Sequence, residues 1–144
     1  MVDTDILSEF LRGSTKVAMS VNEYLSEFSH LNFSIITYYE ILNGFLYKDA
    51  KKQLKKFNEF VEYNNITPLT VESVKQSAKI QADLRKKGIE IGHTDTLIAG
   101  IAIINNFPLV TNNTNHFNRI KGLELLIGRN KIYNTPSLWR ESVA

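Results

Sequence analysis

The chain has 144 residues, 43% hydrophobic and 22% charged, a composition typical of one globular domain spanning residues 1–144. It contains no cysteine, which excludes disulfides and thiolate metal sites and fits a cytoplasmic protein. The net charge of +2 says little about a polyanionic partner, no signal peptide is expected, and the longest apolar run, Leu97–Ile104, is too short to span a membrane.

Short apolar runs alternate with longer amphipathic patterns, which predicts an α/β protein. We expect a three-layer α/β/α sandwich with a mainly parallel central sheet. Only two residues precede Asp3, so the first strand is unusually short or the native start lies upstream of Met1. The first half of the pattern then predicts a helix ending near Gly13, a helix capped by Thr15, a strand at Phe33–Ile36, and a helix from about Tyr38 to Tyr63 with a break near Gly44.

The second half continues this alternation of strands and helices. It predicts an edge strand at Ile66–Leu69, a helix closed by Gly88 whose apolar positions are Val71, Val74, Ala78 and Ala82, an apolar helix from Thr94, and a buried strand at Pro108–Thr111. In the tail, residues 123–127 and 131–133 are candidate strands, and a last helical turn is expected near Trp139.

Three carboxylates stand in apolar surroundings, where a charged group is costly unless it is paired or binds a cation. Asp3 follows the first two residues, Glu40 lies in a mostly apolar segment, and Asp95 begins another. No buried base that would pair with these acids is evident. We therefore predict that Asp3, Glu40 and Asp95 form a cation site.

The predicted topology brings these acids together, because sites in open parallel sheets form beyond the carboxyl ends of the strands. Asp3 ends the first strand, and Glu40 lies in the helical turn after the second. Asp95 begins the helix that runs back towards Pro108, so it lies at the same edge, which residues 111–113 also reach. Four separate segments are therefore expected on one rim of the sheet.

Clustered carboxylates with hydroxyl and amide neighbours are hard oxygen ligands, which suit Mg²⁺ or Mn²⁺ better than zinc. A divalent ion in such a site can hold a phosphate, lower the pKa of a bound water and stabilise charge on the leaving oxygen, so hydrolysis of a phosphodiester is the natural reaction. The alternative is that Asp3 and Asp95 only cap helices and that Glu40 lies on a surface face.

Four segments resemble the sequence motifs of PIN-domain ribonucleases, in the same order and with similar spacing. The opening Val2–Leu7 is similar to the first motif, and residues 34–44 resemble the second, with its glutamate at Glu40. Residues 92–100 are similar to the third motif, an aspartate before Leu-Ile-Ala, and residues 109–123 resemble the fourth. Within that family, the small single-domain size is most similar to VapC toxins of type II toxin–antitoxin pairs.

The resemblance implies a Mg²⁺-dependent (or Mn²⁺-dependent) endoribonuclease that hydrolyses RNA phosphodiesters. It implies Asp3, Glu40 and Asp95 as the catalytic acids, with Asp3 and Asp95 as direct metal ligands. Thr4 and Asn113 would be supporting polar groups. A VapB-like antitoxin protein and a second copy of the chain in a homodimer are the implied partners.

One position departs from the family pattern, because His116 stands where many relatives carry a further acid. We therefore expect one metal ion rather than two, and His116 either contacts RNA phosphate or is an exposed loop residue. The main alternative function is a catalytically weak PIN fold that binds RNA or protein. A metal phosphatase acting on small molecules is a third possibility.

The sequence leaves the roles of three further groups of residues open. A lysine stripe on one helix follows an RNA backbone or forms a solvated face, and a second basic group offers more phosphate contacts. These groups are Lys48, Lys51, Lys52, Lys55 and Lys56, and Arg85, Lys86, Lys87, Arg119 and Lys121. In VapC-like proteins the early helices form the groove that receives the antitoxin. Four aromatic residues are candidates for lining such a groove, and the alternative is that they pack in the core: Phe10, Tyr24, Phe28 and Phe45.

Overall fold

The computed structural model describes residues 1–127 of the protein, so the predictions for residues 131–133 and for Trp139 lie outside it. The helices are α1 (Thr4–Leu11), α2 (Thr15–Glu27), α3 (Ile35–Tyr47), α4 (Lys51–Glu62), α5 (Val71–Lys86), α6 (His93–Ile104) and α7 (Thr114–Phe117). The strands are β1 (Asn32–Ser34), β2 (Asn65–Thr67), β3 (Leu109–Thr111) and β4 (Leu125–Ile127).

The sheet is parallel, and a single residue joins its two halves. β1 pairs with β2, and β3 pairs with β4. Val2 forms parallel bridges to Phe33 on one side and to Val110 on the other, so the predicted first strand is reduced to this residue. The order across the sheet within residues 1–127 is therefore β2, β1, Val2, β3 and β4, which places β2 at an edge of this part, as predicted.

Side chains alternate along the strands, so each face of the sheet carries its own hydrophobic core. Val2 and Val110 belong to one core, which α1, α2, α3 and α4 complete. Their neighbours Met1 and Leu109 belong to the other core, which α5, α6 and α7 complete. Helices thus cover both faces, and the predicted three-layer α/β/α sandwich is confirmed. No helix within residues 1–127 has the length and hydrophobicity that crossing a membrane requires.

Three predicted features of the first half are wrong, each for a local reason. β1 ends earlier than predicted, because the Ser34 hydroxyl accepts a hydrogen bond from the Thr37 amide and starts α3 there. α3 continues through Gly44, and the chain turns instead at Asp49, which has a φ of 52°. Thr15 is the first residue of α2 rather than its cap.

The predicted apolar face of α5 is also wrong. Val71 and Val74 are 66% and 42% exposed, whereas Ser73 and Ser77 are buried. The reason is the close approach of α6, since a Cβ added at Gly100 would lie 2.6 Å from the carbonyl oxygen of Ser73. Only small side chains fit at this crossing, and Ser77 Oγ donates a hydrogen bond of 2.9 Å to the Ser73 carbonyl, which satisfies the buried hydroxyl.

Candidate functional site

Asp3 lies where the one-residue first strand ends and α1 begins. Its amide donates a hydrogen bond of 2.9 Å to the Val110 carbonyl, and the residue is only 4% exposed. Its Oδ1 accepts a hydrogen bond from the Thr4 amide and its Oδ2 one from the Thr111 hydroxyl, both at 2.8 Å. Asp3 therefore does cap α1, but the same carboxylate also reaches across the sheet to β3.

The surroundings of Asp3 make its ionised form costly. The pKa of the Asp3 carboxyl is raised to about 7, mainly by desolvation. The negative charge of Asp5 raises it further, and that of Asp95 does so more weakly, whereas the hydrogen bonds that the carboxylate accepts lower it. No Lys or Arg of residues 1–127 forms an ion pair with Asp3 or Asp5. A buried carboxylate of this kind is stabilised by a bound cation, so the surroundings of Asp3 fit a metal site.

Asp5 is a residue of this site that the sequence analysis did not assign. Its Oδ1 accepts a hydrogen bond of 2.7 Å from the Ile6 amide, and its Oδ2 one of 2.9 Å from the Asn112 amide. Asp5 thus ties the start of α1 to the turn after β3. Desolvation raises the pKa of Asp5, and the negative charge of Glu9 raises it further, whereas the two hydrogen bonds lower it. Its signal in the sequence is a second acid in the first turn of the helix that Asp3 begins.

Glu40 lies on α3 and is connected to α1 through Thr4. The Thr4 hydroxyl donates a hydrogen bond of 2.7 Å to Glu40 Oε1 and lies 3.0 Å from the hydroxyl of Thr37. Thr37 is fully buried and Glu40 is half-buried, so the glutamate does not lie on an open surface face. Its other oxygen, Oε2, accepts no hydrogen bond from residues 1–127 and is available to solvent or a ligand.

Asp95 lies in the first turn of α6, next to a histidine on α7. Nδ1 of His116 is 2.9 Å from Asp95 Oδ2 and also 2.9 Å from Asn113 Nδ2. With a proton on Nδ1 it donates to Asp95, and with the proton on Nε2 instead it accepts from Asn113. The His116 side chain is 50% exposed, but it is held at the rim beside Asp95 rather than isolated in a loop.

These contacts bring together the four segments that the topology predicted, but they give few direct metal ligands. Within residues 1–127, no group of three or more His, Asp or Glu side chains is placed to hold one metal ion. A Mg²⁺ site does not require such a group, because the ion usually takes one or two protein carboxylates and keeps several waters. The residues present therefore fit a hydrated cation better than an ion enclosed by protein ligands.

A groove of about 310 Å³ adjoins the site on the side of α1, α3 and α4. Arg12, Glu40 and Phe45 are among its lining residues. Of the four aromatic residues that are candidates for lining an antitoxin groove, Phe45 lines this one. Tyr24 is buried in the core, whereas Phe10, Phe28 and Phe45 itself are partly buried against that core.

Comparison with known proteins places this fold and site in a family. A sequence profile of the PIN domain matches residues 1–123. A ribonuclease VapC of Rickettsia bellii is 36% identical over 132 residues, which cover 88% of this chain and 93% of that protein. A ribonuclease VapC1 of Methanocaldococcus jannaschii is 33% identical over 127 residues, 88% of this chain and 85% of that protein. The crystal structure of VapBC2 from Rickettsia felis bound to a promoter DNA fragment contains a similar chain, with a TM-score of 0.79 and 28% identity over 88% of this chain and 96% of that one. The chain therefore belongs to the PIN-domain family.

Proposed function

We propose that this PIN-domain protein is a metal-dependent endoribonuclease, the toxin of a VapBC-type toxin–antitoxin pair that acts in the cytoplasm as a single domain of residues 1–144. The observation that carries the proposal is the Asp3 carboxylate, which lies buried at a rim shared by four segments and has no cationic side chain of residues 1–127 paired with it. The ribonuclease VapC relatives match along most of their own length, which supports a comparison of whole domains.

We assign Asp3 and Asp95 as the carboxylates that bind Mg²⁺ or Mn²⁺. When bound, such an ion supplies a water of lowered pKa and positive charge beside the phosphodiester. Glu40, whose Oε2 accepts no hydrogen bond from residues 1–127, is available to take a proton from the attacking water. Thr4 orients Glu40, and Thr111 orients Asp3, through the hydroxyl contacts described above.

Asn113 and His116 are assigned supporting roles at the same rim. His116 contacts Asp95 through Nδ1, and its side chain is 50% exposed, so Nε2 is the ring nitrogen left to contact an RNA phosphate. The side-chain amide of Asn113 lies beside the same ring nitrogen, and its backbone amide donates a hydrogen bond of 2.9 Å to the Thr111 hydroxyl. Both side chains thus steady the rim where the substrate would lie.

Asparagine variants of the two proposed ligands test this function. Asp3→Asn and Asp95→Asn are each expected to lower kcat/KM for Mg²⁺-dependent RNA cleavage by about 100-fold or more, because they remove charge that holds the cation. Circular dichroism and thermal melting should show that both variants remain folded. Asp49→Asn, at an exposed turn, is the matched control. Cleavage that survives both substitutions would contradict the proposal.

The contact between His116 and Asp95 favours one alternative, a PIN fold that binds RNA or protein but cleaves weakly. If His116 keeps Asp95 engaged, that carboxylate contributes less to binding a cation. In this case the wild-type protein would bind RNA yet cleave it no faster than the Asp3→Asn variant. Hydrolysis of a nucleotide monoester without RNA cleavage would instead indicate a small-molecule phosphatase.

We propose that the groove beside Glu40 receives a VapB-like antitoxin. Ile41 and Phe45 give the groove apolar surface, and Arg12 and Lys48 add positive charge, so it suits an apolar segment that carries an acid. A segment bound there would cover Glu40. Phe45→Asp is expected to abolish binding to the protein encoded by the neighbouring open reading frame while RNA cleavage is retained. Unchanged binding would rule out this groove.

We also propose that the protein forms a homodimer through the exposed apolar residues of α5 and the end of α6. Val71 is 66% exposed and Val74 42%, and Ile104 is 41% exposed where α6 packs against the start of α5. Val71→Asp with Val74→Asp is expected to convert a dimer into a monomer in light scattering. Met19→Asp, at an exposed position on α2, is the control.

A further inference from the structure

A second concave surface of the protein contains none of the acids assigned above. A cleft of about 420 Å³ lies between the second half of α5 and the segment that follows α7. The buried residues Ile80, Leu84 and Ile120 contribute apolar surface to it. Its remaining lining residues are mostly cationic, and we call this surface the basic cleft: Lys79, Lys86, Lys87, Arg119 and Lys121, with Gln76 and Asp83.

The charge of the basic cleft is concentrated and unneutralised. Its five cations face one carboxylate, a surplus of +4, whereas the whole chain carries only +2. All five cationic side chains are exposed, and none forms an ion pair with a carboxylate of residues 1–127. Like charges held together in this way repel one another and attract a polyanion. Four of the five residues in the second basic group of the sequence analysis, all but Arg85, therefore converge on one surface, where Lys79 joins them.

The basic cleft adjoins the acidic rim through the two elements that carry Asp95 and His116. α5 ends at Lys86, and a short connection leads to the start of α6, where Asp95 lies. Arg119 and Lys121 follow His116 on the segment after α7. Because α5 and α6 pack against each other along their length, the cationic end of α5 lies at the same end of the domain as Asp95.

We propose that the basic cleft binds the phosphate backbone of the RNA substrate on one side of the cleaved bond. This inference rests on the proposed ribonuclease function. The carboxylates of the rim repel RNA, and basic side chains nearby add to the attraction that a cation bound there supplies. Lysine and arginine side chains suit the phosphates, and the apolar surface suits a sugar or base. A strand that follows the basic cleft reaches the rim beside Asp95 and His116.

The lysine stripe of α4 provides a matched control for this proposal. Lys52 and Lys55 are exposed, and α4 packs on the other face of the sheet from α5, with Phe57 in the first core. Lys87→Ala with Arg119→Ala removes two positive charges from the basic cleft. Lys52→Ala with Lys55→Ala removes the same charge from the opposite side of the domain.

RNA binding would be measured by fluorescence anisotropy with a labelled single-stranded oligonucleotide, with Asp3→Asn present in every chain so that the RNA is not cut. The cleft variant is expected to bind roughly tenfold more weakly near physiological salt, and its slope of log K against log[salt] should shrink by about 1.4, or ~0.7 for each lost phosphate contact. The control variant should change binding less than about twofold, since its charges lie beyond a Debye length from the strand. In chains that retain Asp3, the cleft variant should raise KM for cleavage with kcat unchanged.

Equal losses in the two double variants, or an unchanged salt slope in the cleft variant, would overturn the proposal. Binding of AMP or inorganic phosphate as tightly as the oligonucleotide would also overturn it, because the cleft would then hold a small anion. Cleft-dependent RNA binding by a wild-type protein that cleaves no RNA would support the cleft while refuting the ribonuclease function. The two proposals therefore fail in distinguishable ways.

Discussion

The hydroxyl of Thr111 donates a hydrogen bond of 2.8 Å to Oδ2 of Asp3, although the two residues lie 108 positions apart in the chain. Thr111 is fully buried, and its oxygen also accepts a hydrogen bond from the Asn113 amide. One buried hydroxyl thus positions both the central acid and the start of the fourth segment. The geometry of the site therefore depends on β3 as much as on α1.

Removal of this hydroxyl should impair cleavage more than it impairs folding. Thr111→Val keeps the shape of the side chain but loses both hydrogen bonds, so kcat/KM is expected to fall roughly 10- to 100-fold, as for other groups that orient a metal ligand. The free energy of unfolding should fall by about 1–3 kcal/mol, because a buried amide and a carboxylate lose a partner. Thr111→Ser, which keeps the hydroxyl, should retain most activity. A fully active valine variant would contradict this role.

The stability of the metal-free protein should depend on the ionisation of Asp3. Desolvation raises its pKa from 3.8 to about 7, so the folded state holds this proton more tightly than the unfolded state does. The contribution of Asp3 to stability is thus complete below about pH 4 and is lost as the pH rises to about 7, a change on the order of 4 kcal/mol. Urea unfolding in EDTA should show Asp3→Asn gaining stability over the wild type across this range. A difference independent of pH would contradict the assignment.

Added cation should reverse this loss. A divalent ion that binds the folded state raises the free energy of unfolding in proportion to the logarithm of its concentration above Kd. Mg²⁺ or Mn²⁺ at pH 8 is therefore expected to raise the melting temperature of the wild type but not that of Asp3→Asn. Equal shifts in both proteins would mean that the ion binds elsewhere.

Position 116 should control how strongly the rim binds a cation. His116→Asp would place a second carboxylate beside Asp95, which destabilises the metal-free protein through repulsion and is expected to tighten Mg²⁺ binding about tenfold. His116→Asn adds no charge and is the control. Calorimetric titration with Mg²⁺ measures the difference. The same Kd in both variants would place residue 116 outside the cation site.

Alanine should have opposite effects on stability at two helical glycines, because only one of them lies at the crossing of α5 and α6. Gly100→Ala would force a methyl group against the Ser73 carbonyl and the Ser77 hydroxyl, so we expect a loss of about 2–3 kcal/mol in unfolding free energy. Gly44→Ala meets no atom within 4 Å and should gain about 0.5–1 kcal/mol from lower unfolded-state entropy. Thermal unfolding of both variants measures this contrast. Similar effects would contradict the close approach of the helices.

Sequence patterns predicted the long-range arrangement well where hydrophobicity was continuous. The apolar run after Asp95 predicted α6, and the run before Asn112 predicted β3, because a fully buried element has no polar face to confuse the pattern. The topology of a parallel sheet then placed the acids on one rim, and the contacts of Asp3 with Thr111 and of Thr4 with Glu40 agree with that placement.

The same patterns failed where small polar residues are buried, and where the role of a residue depends on contacts with distant parts of the chain. The buried face of α5 carries serines whose hydroxyls bond to the backbone of their own helix, so hydrophobicity pointed to Val71 and Val74 instead. Asp5 was not assigned, because its role depends on a hydrogen bond that it accepts from the backbone amide of Asn112, a residue far away in the sequence. The helical start at Ile35 was hidden by β-branched residues that also favour strands.

The single bridging residue between the two halves of the sheet has a consequence for synthesis of the protein. Val2 and Asp3 are synthesised more than a hundred residues before their partners Val110 and Thr111. A growing chain can form α1 and β1 early, yet it cannot fix the Asp3 carboxylate until β3 has emerged. We therefore expect a nascent chain that stops before β3 to lack cleavage activity even though it carries Asp3, Glu40 and Asp95.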